Sequence, residues 1–127
     1  MTDELLKEKE EISYKGDLRE QDVLLAVGEQ ITATKLAMCL KFLGHDAISL
    51  LGWQVPILTD SNYGEANIIK VKTTRMQKEL KEGKIVVIAG FQGITSENNI
   101  TTLGRRRLWY HCNSCSWSTR IAWMWSI

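Results

Sequence analysis

The stretch Ile85-Val86-Val87-Ile88-Ala89, running directly into Gly90-Phe91-Gln92-Gly93, decides how this chain is expected to fold. It is a continuous apolar run, β-branched until its last residue, with no alternation between apolar and polar positions. Such a run suits a strand covered on both faces, the kind found inside parallel sheets with helices packed on either side. Working outward, Thr74 with Gln77 three residues later predicts a capped short helix through about Glu82, with Met76 and Leu80 as its inner stripe and Gly83 as its stop. Ala47 to Leu51 and Ile68 to Val71 are further strand candidates, and Gly52-Trp53-Gln54 reads as a turn. Upstream, Asp17 and Glu20 form a capping-box-like start. Apolar residues then recur at helical spacing from Asp22 to Leu43, where Gly44 supplies a C-terminal stop. This should be the longest helix. Helices alternating with strands in this way predict an α/β fold, a partial three-layer sandwich around a mostly parallel sheet.

Two features of this arrangement suggest a site. On the long helix Gln30, Thr34 and Lys41 share one side, whereas Glu29 lies on the face of Leu25, Ala26, Ala33 and Leu36. A carboxylate on an apolar face needs a partner. In open parallel sheets ligands gather beyond the carboxyl ends of the strands, which points to Gly90, Phe91, Gln92 and Gly93 as a site loop. The glycines would let the backbone approach a ligand or take positive φ, and the amides could face an anion. A plain strand-to-loop turn would use the same residues.

The composition bounds the remaining choices. A chain of 127 residues is one domain, and 44% apolar with 24% charged residues excludes disorder, collagen-like repeats and a disulfide-dense miniprotein. The last 22 residues differ from the rest: Arg106 to Ile127 carry three Arg, no acidic residue, four of the five Trp and two of the three Cys. Residues 1–105 are left with 13 basic and 15 acidic groups, a net of −2, and show no basic stripe for nucleic acid. Met1 to Lys15 is charged throughout, and no segment is expected to reach the ~20 apolar residues that cross a bilayer, so no membrane partner and a cytoplasmic location are expected. The odd cysteine count argues against a disulfide framework, and Cys39 is expected to act as a small hydrophobe within its helix.

Several strings, taken together, resemble the catalytic domain of aspartate kinases, within the amino-acid kinase family. They are LLAVGEQIT (Leu24 to Thr32), LGWQ (Leu51 to Gln54), the Thr59-Asp60 pair, VVIAGFQGIT (Val86 to Thr95) and TTLGR (Thr101 to Arg105). Each is weak alone; their order and spacing from about Val23 to Arg105 are specific. GWQ with GFQG and TTLGR favours aspartate kinase over the acetylglutamate, glutamate and carbamate kinases. The resemblance implies that Glu29 helps bind the substrate, through its ammonium group, and that Arg105 binds a substrate carboxylate, a task suited to a planar guanidinium. Without it, a helix ion pair and an exposed loop charge would be the preferred readings of the two residues. It further implies ATP and Mg²⁺ as cofactors, L-aspartate and ATP as partners, and transfer of the γ-phosphate to the aspartate β-carboxylate in lysine, threonine and methionine biosynthesis. No residue is singled out as catalytic, and a homo-oligomer is compatible with the pattern.

The departures from the family pattern are as informative. A Lys-Phe-Gly-Gly segment that supplies a phosphate-contacting lysine in such enzymes has no counterpart here, so residues 1–105 read as a partial catalytic domain without measurable turnover. Losing that first strand is expected to expose a sheet edge. Relatives continue LGR with Gly-Gly-Ser-Asp-Thr-Thr-Ala, whereas this chain reads Arg106-Arg107-Leu108-Trp109-Tyr110-His111-Cys112. Codons for Arg106 to Cys112 can be chosen that, read one base later, encode Gly-Gly-Ser-Gly-Ile-Thr-Ala, so residues 106–127 are expected to be a divergent, frameshifted tail without a packed structure. A metal site is the competing reading of the tail, with His111, Cys112 and Cys115 as ligands, but structural zinc wants four. Nucleic-acid binding by its Arg and Trp residues is a thinner one. A non-catalytic interaction or metal-binding protein on a kinase-like core, or another small-carboxylate kinase, are the rival functions.

Overall fold

The computed structural model describes residues 2–12, 17–103 and 121–124. Helix α1 (Thr2–Glu11) precedes α2 (Leu18–Phe42), the longest helix among the described residues. Asp17 caps α2 as predicted, its Oδ1 accepting from the Arg19 and Glu20 amides at 3.0 and 3.2 Å. The Glu20 carboxylate pairs with the Arg19 guanidinium. Gly44 follows the helix at positive φ, as does Gly83 after the shorter helix below.

Strands β1 (Ala47–Leu50) and β2 (Ile57–Thr59) flank the Gly52–Pro56 turns, and β3 (Ile68–Val71) leads to α3 (Thr74–Lys81). The cap of α3 sits one residue earlier than predicted: Thr73 is the N-cap, and its hydroxyl accepts from the Gln77 side chain at 2.9 Å rather than from a backbone amide. Strand β4 (Ile85–Ala89) is followed by β5 (Gln92–Ile94), β6 (Ile100–Thr102) and β7 (Ile121–Met124).

Strand β4 is central, parallel to β1 on one side and to β7 on the other. Because side chains alternate along a strand, its two faces feed two separate cores. Val87 and Ala89 pack with Ala33 and Ala37 of α2, while Val86 and Ile88 join Leu50, Val55 and Met76 under α3. The result is α2, sheet, α3: the three-layer, parallel arrangement that the uninterrupted apolar run predicted. A second, mixed sheet of order β3-β2-β5-β6 was not anticipated. Its strands β2, β5 and β6 are three residues each, too short to show a period, and pair antiparallel except between β2 and β5.

Three expectations need correction. Cys39 is exposed, because it lies on the side of α2 turned from the sheet. By length and composition Leu18–Phe42 is apolar enough to cross a bilayer, although in this fold one of its faces is part of the core. Ile121–Met124 of the expected unpacked tail is instead a strand in register with Val86–Ala89. The free edge of a buried strand such as β4 exposes unpaired amides and carbonyls, and a short apolar segment can satisfy them.

Candidate active site

The chain leaves the first sheet at the end of β4 and enters the second at Gln92, so Gly90 and Phe91 alone form the link between them. The expected four-residue loop is thus half strand. The positive φ expected of its glycines falls on Phe91 instead, at 61°. A left-handed conformation at a bulky residue costs on the order of 1–2 kcal/mol, and such outliers cluster at functional positions. The Phe91 carbonyl accepts from the Leu103 amide at 3.0 Å, which ties the link to the Thr101–Leu103 segment.

Gln92 is 1% exposed and reaches across to α2. Its Nε2 donates to the Ala26 carbonyl at 3.3 Å, and its Oε1 accepts from Gln30 Nε2 at 3.3 Å. Gly52 is needed where it stands: a Cβ there would lie 2.9 Å from both Gln92 Cγ and the Gln92 carbonyl oxygen. Gly93 is held as tightly, since an added Cβ would lie 2.5 Å from Thr59 Cγ2 and 2.7 Å from the Ile57 carbonyl oxygen. Glycines at these two positions are therefore explained by close approach of neighbouring segments.

A second buried carboxylate holds the other end of the site. Asp22 is fully buried and accepts three hydrogen bonds: from the Thr102 hydroxyl at 2.6 Å, the Thr102 amide at 2.8 Å and the Gly64 amide at 2.9 Å. Sequence reasoning missed it, although Asp22, Leu25, Ala26 and Glu29 fall on one helical stripe and the argument applied to Glu29 applies equally to Asp22. Thr59 and Thr101 share a hydroxyl–hydroxyl bond of 2.7 Å between β2 and β6. The Asp60 carboxylate, in turn, accepts from the Asn62 amide and from the amide and side chain of Asn67.

Glu29 is 1% exposed, on the α2 face that also buries Asp22, Leu25, Ala26 and Ala33, and it is engaged in the fold. Gln92 is thus bonded to the helix that carries Glu29, while Phe91 is tied to Leu103 and Gly93 packs against Ile57, Thr59 and Thr101. Arg105 lies outside the described residues, as do His111, Cys112 and Cys115 of the metal reading and the tail Arg residues of the nucleic-acid reading. Among the described residues no group of three His, Cys, Asp or Glu is placed to hold a metal ion.

Helices on both faces of a parallel sheet, with the GE helix and the GFQG and TTL segments bonded together beyond β4, define the class. Residues 1–110 match the amino acid kinase family, and the chain belongs to it. Within that family its relatives are aspartokinases. It is 51% identical over 104 residues to an aspartokinase of Bacillus sp. (strain MGA3), covering 82% of this chain and 25% of that protein. Aspartokinase 2 of Bacillus subtilis (strain 168) is 47% identical over 104 residues, covering 82% of this chain and 26% of the relative. The crystal structure of aspartate kinase from Synechocystis superposes with a TM-score of 0.61 at 41% identity, covering 82% of this chain and 16% of that one. The chain spans about a quarter of the length of the curated relatives it matches.

Proposed function

We propose that residues 1–105 are the aspartate-binding part of an aspartate kinase, whose reaction transfers the γ-phosphate of ATP to the β-carboxylate of L-aspartate. The observation that carries this reading is the convergence of GE, GWQ, GFQG and TTL segments through Gln92, Phe91 and Asp22. Independent strings in the sequence become one contiguous unit in the fold, bonded through Gln92, Phe91 and Asp22 and packed against Gly52. Glu29 meets the substrate ammonium and Arg105 its carboxylate, so a small zwitterion is recognised at both poles.

In the reaction a β-carboxylate oxygen attacks the γ-phosphorus, the bond from phosphorus to the β–γ bridging oxygen breaks, and ADP leaves with that electron pair. The nucleophile is already an anion, so no general base is required, and positioning supplies most of the catalysis. When bound with ATP, Mg²⁺ neutralises phosphate charge; it is usually held by one or two carboxylates and the phosphates themselves, which does not require a preformed metal cluster. What this chain contributes is a rigid frame: Gln92 and Asp22 hold the helix bearing Glu29 against the strands that lead to Phe91 and Arg105. The reaction belongs to a soluble, cytoplasmic enzyme of amino-acid biosynthesis. Residues 106–127 are a divergent tail produced by a shifted reading frame, and the chain by itself has no turnover.

Binding rather than turnover is therefore the test. In nuclear magnetic resonance titrations, L-aspartate should shift amides around α2 and Phe91, whereas succinate, which lacks the ammonium group, should bind at least tenfold more weakly. Glu29→Gln should abolish that preference. Equal binding of succinate and aspartate to the parent chain would remove Glu29 from the site.

A further inference from the structure

The turn of α2 that carries Glu29 is built as a joint. Gly28 is buried in the middle of it, and glycine is the poorest helix former after proline because it has the most backbone freedom to lose. Three backbone carbonyls around it also serve side chains. The Gly28 oxygen accepts from the Thr32 hydroxyl at 3.0 Å, the Gln30 oxygen from the Thr34 hydroxyl at 2.8 Å, and the Ala26 oxygen from Gln92 Nε2 at 3.3 Å. Threonines bonded back onto their own helix in this way loosen and bend it.

Gln92 spans the joint from outside. Ala26 and Gln30 stand about one turn apart, so an amide bonded to both brackets Val27, Gly28 and Glu29 between its two attachments. A carboxamide suits the task because it carries a donor and an acceptor on one planar end, which neither a carboxylate nor an aliphatic side chain does. Its position is set in turn by Gly52. A Cβ there would lie 2.9 Å from both Gln92 Cγ and the Gln92 carbonyl oxygen, so a larger residue would displace the amide from its reach to α2.

We propose that Gln92 is a positioning residue: its amide splints the Gly28 turn and thereby fixes the direction of the Glu29 carboxylate, with Gly52 holding the splint in place. The inference rests on Glu29 being the partner of the substrate ammonium. Selectivity for that ammonium then depends on Gly52 and Gln92 through the helix, without either meeting the ligand. A small displacement of a positioned charge is enough to weaken what it recognises.

Two variants attack the splint differently. Gln92→Met keeps the length of the side chain and removes both bonds, whereas Gly52→Ala keeps the bonding groups and displaces them. In native-state hydrogen exchange of the full chain, each should speed the amides of Glu29 to Thr32 about tenfold relative to those of Ala37 to Leu40, further along the same helix. In titrations with L-aspartate and succinate, each should reduce the preference for aspartate at least threefold. The double variant should lose no more of that preference than Gln92→Met alone, because once the amide is gone its displacement no longer matters. Glu79→Gln, which breaks the ion pair of α3 with Lys84, should cost stability and leave the preference unchanged. A preference that falls equally in Glu79→Gln would follow stability alone and overturn the proposal. So would unaltered exchange around Glu29 in Gln92→Met, or accelerated exchange with the preference intact, which would make the amide purely structural. If the parent binds succinate as well as aspartate while Gln92→Met still frees the Glu29 turn, the splint stands and the assignment of the substrate falls.

Discussion

At the scale of single residues, the two carboxylates on the inner face of α2 do different work. Asp22 is fully satisfied by three donors from two other segments, which makes it a fastener between α2, β6 and the turn at Gly64. Its removal strands buried donors, each costing on the order of 1–3 kcal/mol. Asp22→Ala should therefore lower stability by roughly 3 kcal/mol in urea unfolding, and Asp22→Asn, which keeps one acceptor oxygen, by less. An Asp22→Ala chain within about 0.5 kcal/mol of the parent, the usual range for inconsequential surface changes, would show that these bonds do not hold the helix. Glu29 lies two turns along the same stripe, and its position depends on this fastening.

At the scale of elements, α3 is locked to β4 by charge. Glu79, only 5% exposed in its side chain, accepts from Lys84 at 2.6 Å and from Arg75 at 2.7 Å. Hydrogen bonds from Lys84 and then Arg75 lower the Glu79 pKa below its ordinary 4.5, and the bonds from Glu79 and Glu82 raise that of Lys84. A carboxylate whose pKa falls on folding adds stability that is complete above its unfolded pKa and is lost as the pH drops through the folded one. For Lys84 the sign is reversed: its contribution is present below its ordinary value and disappears only in strongly alkaline solution. The urea midpoint of the parent should accordingly fall on acidification from pH 6 to below about 4.5, and Glu79→Gln should flatten that part of the profile. Parallel acid profiles for the two chains would remove the lock from the account.

At the scale of the whole molecule, β4 is the beam of the fold, with cores on both faces and neighbours on both edges. Strand β7 closes one of those edges, so deleting residues 121–127 should uncover it and produce larger, concentration-dependent oligomers than the parent chain forms in sedimentation. A deletion chain as monodisperse and as stable as the parent would show that β7 adds nothing to the sheet. The architecture around β4 was legible in the sequence because a two-faced strand must be apolar at every position and a long helix must repeat its apolar face. Glu29 stood out for the same reason, as an exception to such a pattern. The second sheet was not legible: its strands β2, β5 and β6 are too short to carry a period, and their pairing depends on contacts with distant segments. Nor could local sequence reveal that positive φ falls on Phe91 rather than on its glycine neighbours, because that backbone angle is set by the path between two sheets. Sequence alone determined the layers and the identity of the motif residues, since both follow from periodicity and order along the chain. Only the tertiary structure decided that Gly52 and Gly93 are places of close approach and that Asp22 and Gln92 join the motifs, because each depends on which segments meet in space.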